Sequence, residues 1–87
     1  MPYISKENRT RFDEIVDKFV AELRNDLSSG DLNYLLSSFI WKLFQNNLSY
    51  SSINQLIGVL ECVKLEFYRR QAAPYEDIKL ETNGDLI

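Results

Sequence analysis

The stretch from Glu61 to Asp77 holds the densest set of side chains able to do chemistry: Glu61, Cys62, Lys64, Glu66, Tyr68, Arg69, Arg70, Tyr75, Glu76 and Asp77. Two carboxylates facing one another could exchange protons with a substrate or hold Mg²⁺. Paired guanidinium groups beside tyrosines could grip a phosphate or a carboxylate. Spacing decides among these. Glu61 and Glu66 lie five apart, about 140° around a helix, and so do not form a paired-carboxylate site. Each has a nearer basic neighbour: Lys64 follows Glu61 at i+3, and Arg69 and Arg70 follow Glu66 at i+3 and i+4, the spacing of solvated helix pairs. Cys62 has no histidine to activate it, because the chain has none. No catalytic residue, metal ligand or cofactor is assigned. Glu61, Tyr68, Arg69, Arg70, Tyr75 and Glu76 remain as a candidate anion- or partner-binding group. The structural alternative is that Glu76 and Asp77 fold back on the two arginines and pin the tail.

The chain that must position these groups is 87 residues long, with 45% hydrophobic and 26% charged residues. That balance fits one globular domain, residues 1–87, which would expose about 5,300 Å² if folded as a monomer. The formal charge is −3, so a basic footprint for nucleic acid is missing. The aromatics Tyr34, Trp41, Tyr68 and Tyr75 lack the interleaved cations that such binding needs. No apolar run reaches the roughly 20 residues of a membrane span, and no signal peptide opens the chain. A single cysteine, Cys62, excludes an internal disulfide framework and points to a reducing compartment such as the cytoplasm.

Hydrophobic periodicity predicts an all-α fold: a small three-helix antiparallel bundle with a kinked or short fourth helix after Pro74. Residues 1–11 read as a lead-in, with Ser5 able to cap a turn. Phe12, Ile15, Val16, Phe19, Val20, Leu23 and Leu27 share one stripe of a first helix, expected to be a core face. Ser28-Ser29-Gly30 is read as its stop, with Gly30 free for positive φ. A second helix is expected from Asp31, its stripe Leu32, Leu35, Leu36, Phe39, Ile40 and Leu43, with Tyr34 and Trp41 close together on the opposite side. A third, capped by Ser51 or Ser52, carries Ile53, Leu56, Ile57, Leu60, Val63 and Phe67 on one strip. Gly58, Cys62, Leu65 and Arg69 lie on another. Pro74 forces a kink or a stop and can open a short helix within the 75–87 tail, and Asn83-Gly84 signals its end.

Two helices with a second partly apolar face exceed what one three-helix monomer can cover. A homo-oligomer is expected, a C2 dimer in its simplest form, with Tyr34, Trp41, Gly58, Cys62 and Leu65 as its interface; the alternative is that the N-terminal segment and the C-terminal tail cover those faces within one chain. A separate protein partner could use the same surface. The function read from these features is a non-enzymatic, self-associating protein-interaction module.

Met1-Pro2-Tyr3-Ile4, Gly30-Asp31-Leu32-Asn33-Tyr34, Tyr50 through Arg70, Pro74-Tyr75-Glu76-Asp77 and Asn83-Gly84-Asp85 occur in an order and spacing that resemble a family of small proteins of prokaryotes and their phages. The resemblance spans nearly the whole chain. It implies a stand-alone domain of unknown function and brings no activity. A second resemblance, to MazG-type all-α nucleotide pyrophosphohydrolases, implies the alternative of a small enzyme handling a nucleotide or phosphate ligand with Mg²⁺. Glu61 and Glu66 depart from that family's Glu-x-x-Glu spacing, and the second helix supplies no interior acid.

Overall fold

A computed structural model describes residues 2–23 and 26–87. Its described residues form an all-α chain of three helices and a joined C-terminal helix, with no strand among them. Helix α1 spans Lys6–Leu23, α2 Ser29–Phe44, α3 Tyr50–Phe67 and α4 Ala73–Asn83; a five-residue π-turn, Tyr68–Ala72, joins the last two. The backbone divides into two units, one of Tyr3–Ser49 and one of Met1–Pro2 with Tyr50–Ile87.

Helix α1 takes in half of the expected lead-in. It starts directly after Ser5, whose carbonyl accepts from the Asn8 N–H at 3.0 Å. The start of α2 corrects the reading of Gly30 as a stop. Ser28 is the N-cap, and the Asp31 N–H donates to its Oγ at 3.1 Å while the Ser28 N–H donates to Asp31 Oδ2 at 3.2 Å. This reciprocal capping box satisfies two of the donors a helix start leaves unpaired. Gly30 is simply the second residue of α2. Helix α3 begins at Tyr50, slightly before the expected caps. Gly84 is the only glycine with positive φ among the described residues, at 94°, and its N–H closes α4 on the Leu80 carbonyl at 2.9 Å.

The capping box gives a direct test. Ser28→Ala should destabilise α2 by about 1 kcal/mol, read as a lower thermal midpoint by circular dichroism. An unchanged midpoint would mean that the cap contributes nothing.

The stripes expected to form a core are not covered. Among the described residues none is buried. In α1, Phe12, Ile15, Val16, Phe19 and Val20 are all exposed, and only Leu23 of that stripe is half-buried. Within the same unit, no Cα of α1 lies within 8 Å of one in α2. Helix α2 keeps Leu35, Ile40 and Phe44 half-buried, whereas α3 keeps only Ser52, Leu56 and Glu66 so. No helix of the described residues is long and apolar enough to cross a membrane.

Candidate functional site

The site begins with Pro74. It has no N–H to offer the Arg70 carbonyl four residues back, and in a regular helix its ring would strike that carbonyl. The chain widens ahead of it: the Ala73 N–H bonds the Tyr68 carbonyl, an i to i−5 link. Pro74 then sits in the first turn of α4, where a missing N–H costs little. The kink or stop expected at Pro74 is thus a π-turn, a form that recurs at functional sites.

The widening changes which side chains meet. Tyr68 and Glu76 are eight residues apart, which in an unbroken α-helix sets them about 80° apart. A π-turn absorbs one extra residue and turns α4 back by about 100°, so the pair behaves like residues seven apart, nearly in line. The Tyr68 hydroxyl accordingly donates to Glu76 Oε1 at 2.7 Å. That bond to Glu76 is the main reason the Tyr68 phenol titrates above its ordinary value. The negative charge of Glu76, slight desolvation and the charge of Asp77 add to it. Beside the pair lies an open depression of about 410 Å³, lined by Tyr68, Glu76, Asp77, Lys79, Leu80 and Leu86 among others.

The candidate anion-binding residues are therefore partly engaged with one another. The structural alternative set Glu76 and Asp77 on the two arginines; the bond seen for Glu76 is the one it accepts from Tyr68. Arg69 pairs with Glu66 at 2.7 Å and Lys64 with Glu61 at 2.9 Å, both at i,i+3. The Lys64–Glu61 pair is exposed at both ends and so worth little in stability, whereas Glu66 is half-buried. Tyr75 carries Lys79 over its ring, 5.6 Å from the centroid. Arg70 stands within the π-turn. Among the described residues, no three Cys, Asp or Glu side chains gather as metal ligands would.

The interface candidates lie open. Tyr34 is 75% and Trp41 71% exposed on α2, and Leu65, Cys62 and Gly58 are exposed on α3. A Cβ built on Gly58 would meet no atom within 4 Å. Two features escaped the sequence reading. The Tyr68–Glu76 pair was signalled only by Pro74. The apolar stripe of α1 was recognised, but as core.

No curated protein and no solved structure matches the chain. The family model described as a domain of unknown function, DUF6899, matches residues 1–86. With nearly its full length matched, the chain belongs to the DUF6899 family.

Proposed function

We propose that this protein is a non-enzymatic, self-associating protein-interaction module of the cytoplasm that acts as a homodimer. The observation that supports this reading is the apolar surface on every helix, with no described residue buried. Large apolar patches on a soluble chain mark interaction sites. Trp and Tyr are the side chains most enriched at the centre of such contacts, which favours Tyr34 and Trp41. Gly58 and Cys62, one turn apart on α3, offer a strip where a partner backbone can come close. Leu65 extends it, and the group from Glu61 to Glu76 supplies a polar rim.

Light scattering on the purified chain tests the reading. A mass of twice 10.2 kDa is expected. Trp41→Glu and Gly58→Arg should each return the mass toward a single chain while leaving the helical dichroism largely in place. A monomeric wild type would overturn the proposal. Stabilisation by Mg²⁺ with a nucleotide in a thermal-shift screen would favour the pyrophosphohydrolase alternative instead.

A further inference from the structure

We infer that the two-fold axis of the dimer passes between the α1 helices of the two copies, whose apolar stripes pack antiparallel against one another. The inference rests on the self-association reading and adds a surface that reading does not use. Three observations carry it.

The first is coverage. Phe12, Ile15, Val16, Phe19 and Val20 form the most sharply one-sided face in the chain, and all are exposed at 43–61%. No Cα of α2, in the same unit, lies within 8 Å of one in α1. A stripe about 140° wide with charges elsewhere is the pattern of a helix that packs against another.

The second is symmetry in the spacing. An antiparallel pairing centred between Asp17 and Lys18 sets Phe12 opposite the second copy's Leu23, Ile15 opposite Val20, and Val16 opposite Phe19. Every apolar residue of the stripe from Phe12 to Leu23 meets another, and the bulky Phe19 meets the smaller Val16. An isologous contact of this kind closes as a dimer. The flanking charges agree. Arg11 and Glu22 are eleven residues apart and so lie within about 20° of one another, along one edge of the stripe. In the paired arrangement Arg11 of each copy falls two residues, about 3 Å along the axis, from Glu22 of the other. Opposite charges meet there twice. Arg11 already leans toward the seam, its guanidinium 4.5 Å from the ring centroid of Phe12.

The third is area. Large apolar side chains stand exposed along every helix, those of the α1 stripe at 43–61%. Obligate homodimers bury about 2,000–5,000 Å² across both partners, so two copies carry enough surface to supply such an interface.

Sedimentation equilibrium of the full chain tests the arrangement. Phe19→Glu should weaken the dimer by about 100-fold or more, since it sets a carboxylate in the seam. Arg11→Glu and Glu22→Arg, on exposed positions that the fold does not need, should each weaken it by about fivefold. The double variant should recover wild-type affinity. A mixture of the two single variants should form heterodimers in preference to homodimers, which a parallel pairing would not produce. A wild-type dimer indifferent to all of these substitutions would overturn the α1 seam while leaving self-association standing. A wild type that stays monomeric would overturn both.

Discussion

Diluting the wild-type protein from about 100 µM to about 1 µM should lower its thermal midpoint by roughly 6–12 °C. None of the described residues is buried. Folding stability comes chiefly from apolar surface removed from water, at about 25 cal/mol per Å². A chain that fully buries none of its large side chains gains little of this alone, and helices of 16–18 residues are only marginally stable in water without packing. If the covering surface is a second copy, folding and association are one equilibrium. Each tenfold dilution then removes about 1.4 kcal/mol of apparent stability. A two-chain unit of this size shifts by about 2–4 °C per kcal/mol, hence about 3–6 °C per decade. Calorimetry or dichroism melts across that range measure it. A midpoint independent of concentration would show that each chain folds alone, and would remove the support for an obligate dimer.

How far the fold could be read from the residues follows from what periodicity encodes. The steps of three and four from Phe12 to Leu23 identify an apolar face and hence a helix, and α1 is there. They say nothing of what lies against that face, because the same stripe serves a core or an interface. Gly30 shows a different limit. Glycine permits a stop without requiring one, and the Ser28–Asp31 capping box starts α2 ahead of it. Near a helix start the backbone N–H groups have no intrahelical partner, so the glycine gives up less there than in a helix interior. Pro74 announced a break. A kink, a stop and a π-turn all satisfy a residue with no N–H, however, and only the backbone reveals that the π-turn prevails. The Tyr68–Glu76 pair depends on that choice and was illegible for the same reason. The interface candidates Tyr34, Trp41 and Gly58 are exposed, as are the stripe residues expected in the core, so exposure does not set them apart.

Pro74→Ala should restore an unbroken α-helix from α3 into α4 and separate Tyr68 from Glu76. Alanine supplies the N–H that the Arg70 carbonyl lacks from Pro74, and it removes the ring that holds that carbonyl away. The extra residue of the π-turn is then drawn into the regular spiral. Helix α4 turns by about 100° about its axis and the pair returns to the 80° offset of residues eight apart. The 2.7 Å bond is lost while the helical dichroism stays the same or rises. Titration of the tyrosine absorbance reads the change, with Tyr68→Phe identifying which of the five tyrosines ionises late. In the wild type the bond to Glu76 favours the neutral phenol, so the Tyr68 pKa lies above the ordinary value near 10. A group raised in this way contributes its stabilisation in full below the unfolded pKa and loses it as pH rises through the folded one. The π-turn and the start of α4 should therefore loosen only above about pH 10. In Pro74→Ala, Tyr68 should titrate at the ordinary value and that alkaline transition should vanish. Late ionisation of Tyr68 in the Pro74→Ala protein would mean that the pair survives without the π-turn, and that proline is not what aligns it.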